Sequence, residues 1–137
     1  MRLYIDACIV ITLWQMGRGW DVIQEFFDAV LASGTPLFVS GMLFKELQNV
    51  LSSVEHKELV NALSTEYFSW VFSNDKVYAQ ARAFEREANY AISFGDCMHL
   101  ALAIHADAML VTLDKKLIAF AETRWRVMTP KQILETY

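Results

Sequence analysis

Short apolar runs alternate with longer stretches of helical period along this chain. Leu3, Tyr4 and Ile5 form an apolar run that stops at Asp6, which predicts a buried strand over 2–5. Helical spacing follows to about Met16 and resumes over 20–33, where Ser33-Gly34-Thr35-Pro36 is a strong stop. A second strand is predicted at 37–39, followed by helices over 42–51 and 55–68, the latter carrying Leu59, Val60 and Leu63 at helical spacing. Segment 68–73 (FSWVFS) is ambiguous, a short edge strand being one reading of it. Asn74-Asp75 caps a helix to Tyr90, and Ser93 caps another to His105. A strand over 108–113, a short helix over 114–121, a strand over 125–128 and a helix opened by Pro130 complete the pattern.

Apolar strands alternating with helices predict an α/β fold: a three-layer α/β/α sandwich with a mostly parallel central sheet and right-handed crossovers. Two prolines and five glycines are too few to mark a linker, and 137 residues suit one domain over 1–137. No apolar stretch approaches the roughly 18 residues that span a bilayer, and Asp6 interrupts the N-terminal apolar run where a signal peptide needs continuity. A cytoplasmic protein without membrane association is expected. Cys8 and Cys97 have no pairing or zinc-type spacing, which excludes a disulfide framework and predicts reduced thiols. Twelve basic against sixteen acidic residues give a formal charge of −4, which argues against a surface coated for nucleic acid unless several acids hold metal.

Sheets of this kind bind ligands beyond the carboxyl ends of their strands. Asp6 and Asp114 close two predicted strands on the same rim, Asp96 opens the helix after Ser93, and Glu46 lies one turn into the helix after the second strand. Four acids converging on one pocket would repel one another strongly unless a hard divalent cation such as Mg²⁺ or Mn²⁺ neutralised them. Each acid also has a structural explanation. Asp96 can be the N3 acid of a capping box, Asp114 a helix cap, Asp6 a polar loop start and Glu46 a solvated residue beside Lys45.

YIDAC at the first strand end, SGMLFKELQNVL, SFGDCMHLALAIHADAMLVTLDKKL and RVMTPKQIL together resemble the PIN-domain ribonucleases over essentially the whole chain. By size and lack of extra domains, the chain is most similar to the VapC-type toxins of toxin–antitoxin pairs. The DxxHLA helix followed by an LVTxD strand end is the most specific part. The resemblance implies that Asp6, Glu46, Asp96 and Asp114 are the catalytic, metal-binding quartet, with Thr112 as the hydroxyl residue near the fourth acid and Ser40 as the small polar residue before the second motif's helix. It further implies Mg²⁺ or Mn²⁺ as cofactor, hydrolysis of single-stranded RNA, a homodimer, and an antitoxin partner. Two positions depart from the pattern. Cys8 replaces the usual Asn or Ser, which would weaken contacts to substrate or water, and Leu113 replaces a common polar residue.

Two bound divalent ions would bring the formal charge from −4 to about zero, so local cations then decide where RNA lies. Lys45, Lys115, Lys116, Arg82 and Arg86 are the candidates for that substrate track, although Arg82 and Arg86 could instead pair with acids of their own helix. His99 is read as a satisfied histidine on a packed helix rather than a general base. Trp14, Trp20, Phe26, Phe27, Tyr67, Phe68, Trp70 and Phe72 are expected to be mostly core, with a surplus forming subunit or partner surfaces, above all a groove between the helices of 7–16 and 42–68. Two other readings compete. One is a phosphotransfer or phosphatase domain with Asp6 as nucleophile, which Cys8 disfavours because an acid is needed there. The other is a PIN-like binding module whose site is inactive.

Overall fold

The β1 strand (Leu3–Ile5) is buried along its whole length and lies at the centre of the molecule. The computed structural model describes all 137 residues and sets β1 between β2 (Leu37–Ser40) and β4 (Met109–Val111). Outside these lie β3 (Phe68–Val71) and β5 (Val127–Met128), in the order β3-β2-β1-β4-β5, every pairing parallel. Segment 68–73 therefore contains an edge strand, Phe68 pairing with Leu37 and Val71 with Ser40.

Alternation along the strands divides the core into two layers. Leu3, Ile5, Leu37, Val39 and Val111 face α1 (Ala7–Trp14), α2 (Trp20–Ser33), α3 (Gly41–Gln48), α4 (Ser53–Leu63) and α8 (Pro130–Leu134). Tyr4, Val71 and Leu110 face α5 (Asp75–Glu87), α6 (Phe94–His105) and α7 (Lys115–Ala121). The three-layer α/β/α sandwich with a parallel sheet is thus the observed architecture.

Several helix ends differ from the sequence reading, each for a local reason. The helix predicted to reach Phe68 stops at Leu63, since Phe68 is taken by the sheet ladder. The one predicted to reach Tyr90 stops at Glu87, because Asn89 and Tyr90 adopt left-handed backbone with φ of 51° and 62°. The helix predicted over 42–51 ends at Gln48, and the one to Met16 ends at Trp14, with Met16 at φ 49°. Gly34 does end α2 as a left-handed cap, φ 72°, whose N–H returns to Leu31 and Val30.

The aromatic surplus is less buried than expected. Phe26 and Phe27 are core and Phe68 and Trp70 half-buried, but Trp14, Trp20, Tyr67 and Phe72 are exposed. Between α1, α2 and α4 an all-apolar groove of about 290 Å³ is lined by residues including Leu13, Trp14, Phe27, Leu59, Ala62 and Phe68. No helix is long and apolar enough to cross a membrane.

Candidate active site

Connections from β1 run to one side through β2 and return on the other through β4, so the crevice between the ends of β1 and β4 is the switch point where such sheets bind ligands. Asp6 follows β1 directly and is 3% exposed; Thr112 follows β4 and is fully buried. Asp6 caps α1, its Oδ1 accepting from the Cys8 N–H at 3.0 Å and from the Cys8 thiol at 2.6 Å. Its Oδ2 accepts from the Thr112 hydroxyl at 2.5 Å, and Thr112 Oγ1 in turn accepts from the Asp114 N–H at 3.1 Å. Asp114 caps α7 through Oδ1, which accepts from the N–H groups of Lys116 and Leu117. The capping explanation for Asp114 therefore holds, and Asp6, read as a polar loop start, is itself the cap of α1; each cap uses a single carboxylate oxygen.

Cys8 does not leave a gap at its unusual position. Its thiol donates to Asp6 and accepts from the Leu113 N–H at 3.4 Å, and burial together with the Asp6 charge pushes it far above the ordinary thiol range. It is a protonated donor that helps hold Asp6.

Glu46 reaches the same rim from α3, and its Oε1 accepts from His99 Nε2 on α6 at 2.8 Å. His99 is fully buried, and its Nδ1 meets the Tyr4 hydroxyl at 2.7 Å, while that hydroxyl meets Ser40 Oγ at 2.6 Å. Ser40, the last residue of β2, uses the same oxygen to cap α3 at Leu43 N–H. Burial would lower the His99 pKa, but the hydrogen bond and charge of Glu46, with Asp6 and Asp96 further off, raise it. His99 is thus the satisfied histidine expected from the sequence, and one of the groups satisfying it is a candidate site acid.

Asp96 lies in the first turn of α6, its N–H donating to the Ser93 hydroxyl at 3.2 Å. The returning carboxylate bond that completes the capping boxes of Ser52 with Glu55 and Thr129 with Gln132 is not made at Ser93. The Asp96 carboxyl is pushed up to about 6, first by burial, then by the charge of Asp114 and, more weakly, Asp6, against a lowering pull from His99. Asp96 therefore feels the charge of both Asp114 and Asp6, while Glu46 is hydrogen-bonded to His99, which in turn feels Asp6 and Asp96.

No three or more His, Cys, Asp or Glu side chains close into a ready-made cage. The donor chemistry nonetheless fits a hard divalent cation: all four groups offer carboxylate oxygens, and the Asp96 carboxyl, raised first by burial, is raised further by the charges of Asp114 and Asp6, which a cation would relieve.

The basic candidates divide. Lys115 and Lys116 are exposed in the first turn of α7 beside Asp114, and Lys45 is exposed on α3 one residue before Glu46. Arg82 is bound to Glu85 at 2.8 Å and lies 3.8 Å over the Phe94 ring, whereas Arg86 is exposed and makes no ion pair. Ser40 and Thr112, the two hydroxyl residues to which the resemblance gives a place in the site, sit within the buried hydrogen-bond network, where neither hydroxyl is open to a substrate. The sequence reading missed Tyr4, which looks like any apolar strand residue. Its signal was positional: a hydroxyl at the one β1 position facing the α6 layer.

The sequence model described as "PIN domain" matches residues 3–123. Comparison with curated proteins found no match by sequence. Among solved structures, VapBC-1 from nontypeable Haemophilus influenzae is similar at TM-score 0.72 and 18% identity, covering 95% of this chain and 98% of that one. VapBC2 from Rickettsia felis, bound to a DNA fragment from its promoter, gives 0.70 and 15%, with coverage of 94% and 98%. A toxin–antitoxin complex from Klebsiella pneumoniae gives 0.68 and 21%, with 95% and 98%.

Proposed function

Since the chain belongs to the PIN domain family, we propose that it is a metal-dependent endoribonuclease that hydrolyses single-stranded RNA, acting in the cytoplasm as the toxin of a type II toxin–antitoxin pair. One observation supports this reading: Asp6, Glu46, Asp96 and Asp114 come from four separate parts of the chain at the carboxyl ends of the strands, and the Asp96 carboxyl, raised first by burial, also registers the charge of Asp114 and Asp6. Asp6, Glu46, Asp96 and Asp114 would hold Mg²⁺ or Mn²⁺. Such an ion, when bound, supplies Lewis-acid polarisation and a readier attacking water.

The chain's own residues do the positioning. Thr112 and Cys8 fix both oxygens of Asp6, and His99 fixes Glu46. Lys115 and Lys116 offer mobile cations for RNA phosphates at the mouth. Against the phosphotransfer reading stands Cys8, a protonated thiol hydrogen-bonded to Asp6 at the position where that chemistry needs a second acid. Cleavage of single-stranded RNA should stop on chelation, return with Mg²⁺ or Mn²⁺, and leave 5′-phosphate ends. Cleavage indifferent to chelation, or none with any divalent ion, would overturn the proposal.

An antitoxin segment is the proposed occupant of the apolar groove, a reading supported by the similar structures being toxin–antitoxin complexes. The groove lies between α1 and α4, with α2 as a third wall. Exposed Trp20, Tyr67 and Tyr90 offer apolar surface for the proposed homodimer. Ala62→Arg places a long charged side chain at an exposed groove position. It should weaken capture of the neighbouring-gene product by at least tenfold in a pull-down titration while leaving RNA cleavage intact. Unchanged capture would move the partner to another face.

A further inference from the structure

A second cavity of about 270 Å³ opens on the same rim, at the carboxyl ends of β2 and β3. It shares two walls with the acid crevice. Lys45 precedes Glu46 on α3, Met98 precedes His99 on α6, and Ser40 joins the cavity to Glu46 through Tyr4 and His99. Its floor is apolar, with Met98, Leu102 and Val71 all buried. At its mouth stand two large aromatics that nothing covers, Phe72 at 73% and Tyr78 at 46% exposure. The Tyr78 ring lies nearly parallel to Phe94, 6.4 Å between centroids and 21° apart, and the Arg82 guanidinium stacks on Phe94 two residues before Asp96.

An apolar floor, flanking rings, small hydroxyls at the edge and one free cation match a nucleobase with its attached phosphate. A protein helix would want the continuous apolar lining found in the other groove. We infer that this cavity is a base-binding subsite of the ribonuclease proposed above, taking one unpaired RNA base next to the scissile phosphate, with Phe72 and Tyr78 as stacking surfaces and Lys45 on the phosphate. The inference rests on that ribonuclease reading. It explains how a protein of net negative charge could hold a strand in register, since stacking adds affinity that salt does not screen.

The test uses the full chain with Phe72→Ala, Tyr78→Ala and the double change, plus Phe72→Tyr and Tyr78→Phe as conservative controls. Fluorescence anisotropy with labelled single-stranded RNA in chelator reads binding apart from cleavage. The double variant should bind roughly ten- to a hundredfold more weakly and show a matching rise in KM, with kcat at saturating RNA within about twofold and an unchanged melting point. The conservative controls should bind like the parent. RNAs with a single abasic site walked along the strand should reveal one position at which parent and double variant bind alike. Cleavage by the parent with equal RNA affinity in the double variant would overturn the subsite and leave the nuclease reading standing. No RNA cleavage or binding by the parent would fail the nuclease reading and the subsite with it. Normal RNA binding with loss of a protein partner would reassign this face to protein contact.

Discussion

Asp96→Asn should lower metal-dependent RNA cleavage by roughly 10³-fold, the equivalent of about 4 kcal/mol of transition-state stabilisation. The same variant should melt higher than the parent in metal-free buffer. Asn keeps the shape of the side chain and the Ser93 cap, which uses the backbone N–H and not the carboxylate. What it removes is a charge placed beside Asp114 and Asp6.

The sign follows from the direction of the shift. An unfolded chain ionises Asp96 near the ordinary value of 3.8, whereas the folded chain holds the proton up to about 6. Between those values the unfolded state has already lost its proton, so stability falls as pH rises through the window and the full cost is present at pH 7 to 8. Asp96 is only partly buried, and solvent screens the cost to about 1 kcal/mol, or roughly 3–5 °C for a chain of this size. The melting gap between Asp96→Asn and parent should therefore be widest at pH 8 and close below pH 4. Saturating Mn²⁺ should reverse the order, because only the parent then gains from binding. A fully active Asp96→Asn would remove Asp96 from the site. A variant melting lower in chelator would show a structural acid instead of a strained one.

How legible this was in the sequence depended on the kind of information each residue carries. Asp6 and Asp114 could be placed because each ends an apolar strand run, and a parallel sheet sends all such ends to one rim. Asp96 and Glu46 could be placed because caps and helical period fix their turn. What could not be read is where hydrogen bonds cross between elements. Tyr4 to Ser40 and His99, and His99 to Glu46, join residues far apart in the chain, and no local period encodes such a pairing. The ends of α4 and α5 were misplaced for the opposite reason. Helical propensity near Phe68 and Tyr90 was overridden by sheet pairing at one and by left-handed backbone at the other. The exposure of Phe72 was equally hidden, since an aromatic just beyond an edge strand reads as core until the cavity beside it is seen.

His99→Leu should cost both stability and activity, whereas His99→Gln should keep most of each. Leu fills the space but strips the Tyr4 hydroxyl of one buried partner and Glu46 of its only one. Lost partners of this kind cost about 1–3 kcal/mol, so the melting point should fall by roughly 4–12 °C. Cleavage should fall about 10- to 100-fold, as for the loss of a group that orients a metal-binding carboxylate. Gln retains an N–H that can reach Glu46. Stability and orientation are then separated by Gly95→Ala. A Cβ there would meet Glu46 Oε1 at 2.9 Å, forcing the carboxylate off His99. In the first turn of α6 the same methyl contributes roughly 0.5–1 kcal/mol of helix stability, which offsets part of the cost of leaving the buried His99 Nε2 without its acceptor. Gly95→Ala should thus lose cleavage and Mn²⁺ affinity like His99→Leu while melting closer to the parent. Full activity in both would mean that the position of Glu46 is irrelevant to the reaction. A folded His99→Gln as inactive as Asp96→Asn would mean that the imidazole itself handles the proton.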